Sequence, residues 1–242
     1  MIEKSSASFR DPSGFVFTQD SVVYRQVNQA GRESYDALMQ SGLYERLSKA
    51  KALVTHEEVP LALAPLPQLA YKVILPHSIP FISYPYEWCF EQLKDAAILT
   101  LSIARRALEY GLSLKDASAY NVQFLDGKPI FIDTLSFEPY QEGLPWVAYR
   151  QFCQHFLAPL ALMAHKDTRL SQLMRVYIDG IPLDLTSKLL PASTRLQFGL
   201  LSHIHLHARS QEKYAGKAVS PNALEGKVSL SAMRGLLESL LA

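Results

Sequence analysis

Asp116, Asn121 and Asp133 are the residues of this chain whose types and spacing would do chemistry. Asn121 follows Asp116 by five residues, and Asp133 follows Asn121 by twelve. Between them lie two apolar runs, Val122–Leu125 and Pro129–Ile132, joined by Asp126-Gly127-Lys128. An Asp-Gly pair between alternating hydrophobics signals a tight hairpin, since both residues tolerate the positive φ that such a turn needs. The hairpin folds back and returns Asp133 to the neighbourhood of Asn121 and Asp116. Two carboxylates and one amide at one end of a two-stranded ribbon make a hard-oxygen set suited to Mg²⁺ and phosphate.

The surrounding run, LKDASAYNVQFLDGKPIFIDTLSFE, resembles the catalytic segment of the protein kinase and aminoglycoside phosphotransferase superfamily. There D-x-x-x-x-N precedes a hairpin and a second, metal-binding Asp. The resemblance implies that Asp116 orients or deprotonates an acceptor hydroxyl, and that Asn121 and Asp133 hold Mg²⁺ on the phosphates of ATP. Two departures stand out. Leu114-Lys115 replaces the usual His-Arg or His-Gly, and Thr134-Leu135 follows Asp133 where Phe-Gly is usual.

The elements that must position these residues follow from pattern. Phe9-Arg10 and Phe15–Phe17 flank the turn Asp11-Pro12-Ser13-Gly14, and a second turn at Gln19-Asp20 leads into the Val- and Tyr-rich strand Ser21–Val27. In a kinase-like lobe the first turn would cover phosphates, here with a single glycine. The third strand would supply the phosphate-binding cation, which is Arg25, with Lys72 as its rival. A helix expected over Arg32–Ala50 offers Glu33 and Glu45 as the cation's acidic partner. Strand-like runs at Ala70–Leu75 and Phe81–Tyr84 lie in a proline-rich stretch. Tyr84-Pro85-Tyr86 would then be the hinge, with its backbone facing adenine.

Glu87–Tyr110 carries the strongest helical signal, with Phe90, Leu93, Ala97, Leu101, Ala104 and Leu108 on one face and Gly111 as a stop. Leu135–Leu144 reads as loop. Helical segments are expected at Trp146–Met163, Thr168–Ile178, Leu183–Leu190, Gln197–Arg209 and Val228–Leu241, with a linker over Ser210–Lys227. Helical spacing puts His203 and His207, but not His205, on one face, and favours packing over metal binding.

The 242 residues carry a net charge of +1 and 48% hydrophobic content, which supports a substantial core and indicates neither a nucleic-acid surface nor a membrane span. Cys89 and Cys153 read as free thiols of a reducing, cytoplasmic compartment. The expected organisation is an α+β, two-lobed kinase-like fold: a β-rich lobe over 1–86, a helical lobe over 87–209, and a linker with a terminal helix over 210–242.

A second resemblance spans most of the chain. IPFISYPYEWCFEQLKDAAILTL, the Asp116 segment, GLPWVAYRQFCQHFLAPLALM and IDGIPLDLTSKLLP are similar to the N-terminal region of a bacterial SAM-dependent methyltransferase family. In that family a methyltransferase domain follows the kinase-like region. Its G-x-G turn is absent from this sequence, so the chain is not expected to methylate alone. The readings are therefore a Mg²⁺-ATP-dependent phosphotransferase, or a non-catalytic, pseudokinase-like module that serves a methyltransferase domain or protein.

Overall fold

Phe15 and Phe17 are both buried while Val16 and Thr18, on the opposite side of the pleat, are only partly so, and the chain from Gly14 runs as a strand with one face in the core. The computed structural model describes residues 2–4, 11–214 and 228–242, and the strand suggested at Phe9-Arg10 lies outside them. Strand β1 (Ile2–Lys4) pairs with β2 (Gly14–Gln19), which turns through Asp20 and Ser21, at φ 51° and 65°, into β3 (Val22–Asn28). With β4 (His56–Val59) and β5 (Ala70–Pro76) they form an antiparallel sheet in the order β1-β2-β3-β5-β4. Arg25 stands opposite Val16 and Ile74, and Val27 opposite Lys72, so Arg25, Val27, Ile74 and Lys72 share one sheet face. The other face buries Phe15, Phe17 and Val73.

One helix expected over Arg32–Ala50 is two: α1 (Arg32–Gln40) and α2 (Leu43–Lys49). Gly42 between them takes φ 82°, a left-handed conformation that ends α1 and redirects the chain so that Leu43 and Leu47 are buried. Tyr35 of α1 packs with Val27 and Ile74 on the sheet face that carries Arg25. Phe81–Tyr84, read as strand-like, joins no sheet. The Gln123 side chain holds Ser83 at both backbone groups, at 3.0 Å each, in place of a strand ladder.

The long helix begins later than expected, as α3 (Phe90–Glu109). Glu87 is held in a preceding Pro85–Glu87 turn, where its carboxylate accepts the Tyr84 amide at 2.7 Å. Gly111, at φ 74°, ends the helix region and passes the chain into β6 (Leu112–Leu114). The hairpin forms as β7 (Val122–Leu125) and β8 (Lys128–Phe131), turning at Asp126 and Gly127, both at positive φ. Leu135–Leu144 is not all loop: β9 (Phe137–Pro139) pairs antiparallel with β6.

The remainder is mostly helical, and the fold is α+β, a small antiparallel sheet beside a larger helical part. Helices α4 (Tyr149–Phe152) and α5 (Ala158–His165) are joined by a π turn, Cys153–Leu157. Thr168–Arg175 is a 3₁₀ helix, followed by α6 (Leu183–Leu189). Short α7 (Phe198–Leu200) leads through a π turn, Leu201–Leu206, into α8 (His207–Tyr214). The expected linker is helical as far as Tyr214, and its rest, 215–227, lies outside the described residues. Helix α9 (Leu230–Leu241) buries Met233 and Leu237 in the core that contains α3, about 1.5–3 kcal/mol for each such side chain. Among the described residues no helix is long and apolar enough to cross a membrane.

Candidate functional site

Two short ribbons bring the sequence-selected residues together. In the β7–β8 hairpin, Ile132 N–H donates to Asn121 O at 2.8 Å, which sets Asp133 beside Asn121. In the β6–β9 ribbon, Lys115 N–H donates to Ser136 O at 2.8 Å, which sets the Asp116 loop beside the same Ser136 turn. The strip Ala52–Val54 fastens the hairpin to the segment following α2: Phe131 N–H donates to Ala52 O at 2.9 Å and Val54 N–H to Phe131 O at 2.8 Å.

The Ser136 side chain is the joint between the two predicted metal-binding residues. Its hydroxyl donates to Asp133 Oδ2 at 2.9 Å and accepts from Asn121 Nδ2 at 3.2 Å. Asp133 Oδ1 accepts the Leu135 amide at 2.8 Å and meets Arg25 Nη1 at 2.6 Å. Both side chains of this ion pair are 13% exposed. The contact is a close ion pair in a largely dry site, where two charges are worth holding only against each other. Arg25 Nη2 also lies 3.7 Å from Asp11 Oδ2, and Arg25 Nε is buried without a hydrogen-bond partner among the described residues.

Neither Glu33 nor Glu45 partners Arg25. Tyr35 and Leu38 take the buried face of α1, and Leu43 and Leu47 that of α2, so both glutamates face outward and are exposed. Lys72 is committed elsewhere. It hydrogen-bonds Glu58, whose other oxygen accepts from Tyr35 Oη at 3.0 Å. Burial and the Glu58 carboxylate push the Tyr35 phenol far up, while the Glu58 hydrogen bond raises Lys72.

Asp116 is partly buried and held by side-chain geometry. Its Oδ1 accepts the Ser118 amide at 3.0 Å and Gln151 Nε2 at 2.8 Å. The Asp11–Gly14 turn is also closed. Ser13 N–H donates to Asp11 Oδ1 at 2.8 Å and Gly14 N–H to Asp11 O at 3.4 Å. Gly14 serves close packing, because a Cβ there would lie 2.3 Å from Gln26 O and 2.8 Å from Leu135 Cδ1. The Ser13 and Gly14 amides thus bond within the turn.

Tyr84 and Tyr86 stack with ring centroids 5.5 Å apart. Tyr84 N–H and C=O are both taken by Glu87, and Tyr86 C=O accepts from Gln172 Nε2 at 3.0 Å. The aromatic patch extends to Tyr120, next to Asn121, whose phenol is pushed up by burial and then by the Tyr86, Asp179 and Tyr84 charges. The three histidines of 203–207 are packing residues. His203 and His207 both contact the Tyr149 ring, and His205 sits between Ser187 and Thr194 hydroxyls at 2.8 and 2.9 Å.

No protein-family model matches the chain. Nodulation protein NoeA of Rhizobium meliloti (strain 1021) is 35% identical over 207 residues, which cover 85% of this chain. The chain spans 43% of that relative's length.

Sequence reasoning missed Ser136, Gln151 and Asp11. Ser136 follows Asp133 by three residues and its amide donates to Asp133 O at 3.4 Å, the closure of a β-turn, so it was within reach of local turn chemistry. Gln151 was not. It comes from α4, and only the packing of α4 against the Asp116 loop brings it there.

The oxygen donors present suit Mg²⁺ in kind, a carboxylate and an amide whose side chains meet at one hydroxyl. They fit it in place only if Arg25 yields Asp133 Oδ1. Among the described residues no group of three or more His, Cys, Asp or Glu side chains is arranged to hold a metal.

Proposed function

We propose that this site is a kinase-like binding site for the phosphates of a nucleotide, ATP with Mg²⁺. The observation that carries the reading is the Arg25–Asp133 contact at 2.6 Å: the cation chosen as phosphate ligand touches the carboxylate chosen as metal ligand. Three strands, a helix pair, the connecting strip, two further strands of the same sheet, the long helix and the hairpin also succeed one another along the chain in an order that suits a kinase-like fold.

On this reading Arg25 would bind phosphate oxygens through its planar fork, and Asp133 and Asn121 would hold Mg²⁺. Magnesium, when bound, supplies charge neutralisation on the phosphates. Asp116, oriented by Gln151 and Ser118, would accept a hydrogen bond from an acceptor hydroxyl and align it. Phosphoryl transfer rests on such positioning and charge stabilisation rather than on covalent chemistry by the protein.

A second reading has its own support. Asp133 already takes contacts from Arg25, Leu135 N–H and Ser136 Oγ, and the turn amides and Tyr84 backbone are spent locally. That favours a pseudokinase-like module that recognises a partner, with a SAM-dependent methyltransferase domain or protein as the partner the sequence resemblance implies. The relative's name, a nodulation protein, supplies a biological setting for either reading and no reaction.

Thermal melting separates the two. Mg²⁺-ATP at a hundred times its Kd should stabilise the wild-type chain by about 2.7 kcal/mol and leave Asp133→Ala unmoved. A wild-type melt that saturating Mg²⁺-ATP does not shift supports the non-catalytic module.

A further inference from the structure

We infer that Arg25 is a gate on Asp133, one that keeps a bare divalent cation out until a phosphate draws the guanidinium away. The inference rests on the nucleotide reading for the identity of the anion, and on geometry for the gate itself. Arg25 Nη1 occupies Asp133 Oδ1 at 2.6 Å, while Leu135 N–H and Ser136 Oγ occupy the carboxylate from other directions. A cation approaching Oδ1 meets a fixed positive charge, and like charges at contact distance in a poorly solvated site repel strongly.

The guanidinium, for its part, is not satisfied. Its Nε is buried with no hydrogen-bond partner among the described residues, although Nη1 and Nη2 each face a carboxylate. A phosphate oxygen would supply that missing acceptor and match the fork geometry that Arg prefers. A phosphate alone, however, meets Asp11 and Asp133 on either side of Arg25, two carboxylates against one guanidinium. Each ion alone is therefore opposed, and together they cancel each other's penalty. Phosphate takes Arg25, and the cation takes the freed Asp133. Such coupling is reciprocal and of a size common between linked sites.

The test uses Mn²⁺ as the probe, counted by electron paramagnetic resonance, on the whole chain. Without nucleotide, Arg25→Gln should bind Mn²⁺ about tenfold or more tighter than wild type, and Arg25→Gln/Asp133→Asn should lose the gain. Arg25→Lys keeps the charge and should stay close to wild type. In the wild-type chain, saturating ATP should tighten Mn²⁺ by about tenfold or more beyond what ATP chelates in free solution, a comparison that needs no folded variant. Equal Mn²⁺ affinity in wild type and Arg25→Gln, or a gain that survives loss of Asp133, overturns the gate. Should Arg25→Gln not fold, a wild-type Mn²⁺ affinity indifferent to nucleotide overturns it. Nucleotide binding without the Arg25→Gln gain defeats the gate and keeps the nucleotide reading; the gain without any nucleotide binding does the reverse.

Discussion

Gln151 reaches Asp116 from α4 with both ends of its amide, Nε2 donating to Asp116 Oδ1 at 2.8 Å and Oε1 accepting the Ala117 amide at 2.7 Å. This one side chain fixes both the carboxylate and the backbone of the loop that carries it. Gln151→Ala leaves the amide of buried Ala117 without its acceptor. The expected loss is about 1–3 kcal/mol in urea unfolding, with the slope unchanged. A loss under a few tenths would mean that the loop is held by something else.

Ser136 should matter through the two residues it joins. Ser136→Ala removes the donor to Asp133 Oδ2 and the acceptor for Asn121 Nδ2 in a site where Ser136 is 1% exposed. About 1–3 kcal/mol of stability should go, and Mg²⁺-ATP affinity should fall with it. Unchanged affinity in a folded Ser136→Ala chain would separate Asn121 and Asp133 as independent groups.

The hairpin and the long helix were legible in the sequence because each rests on local chemistry: Asp126-Gly127 at positive φ, and a 3.6-residue apolar period closed by Gly111. The meeting of Asn121 with Asp133 followed from the hairpin alone. What stayed hidden was set by tertiary contact. β9 exists because β6 pairs with it, and Phe81–Tyr84 fails as a strand because a side chain, Gln123, takes the place of a neighbouring strand. The split at Gly42 was visible as a glycine, but helical spacing continued across it. Arg25 was selected as the cation from its strand; its partner was not, since outward helix faces claimed both candidate glutamates.

Acid should destabilise the chain through His155. Burial pushes this imidazole down from 6.5 to about 4, while Asp179 pulls weakly the other way. Its folded value lies below its unfolded one, so the neutral ring favours the fold, and stability falls as pH drops from 6.5 towards 4. That gap corresponds to roughly 3 kcal/mol at most. Urea midpoints at pH 7 and pH 4.5 should therefore differ less for His155→Leu than for wild type. An identical pH dependence in both would remove His155 from the account.

Thiol chemistry gives a direct check on packing. Cys89 is exposed, whereas Cys153 is buried and its thiol is pushed up to about 12 by burial, against a hydrogen bond from Tyr149. A disulfide-exchange reagent at pH 8 should titrate Cys89 alone in the native chain and both thiols in denaturant. Fast reaction of Cys153 in the native state would contradict the core described around α4 and α5.

Calorimetry of ATP binding, with and without Mg²⁺, on the wild-type chain and Asp133→Ala reads the proposed nucleotide site itself. Mg²⁺-dependent binding to the wild type is expected, and Asp133→Ala should abolish it while the variant stays folded. Absence of binding to a folded wild-type chain at millimolar ATP, or binding that survives Asp133→Ala unchanged, would contradict it.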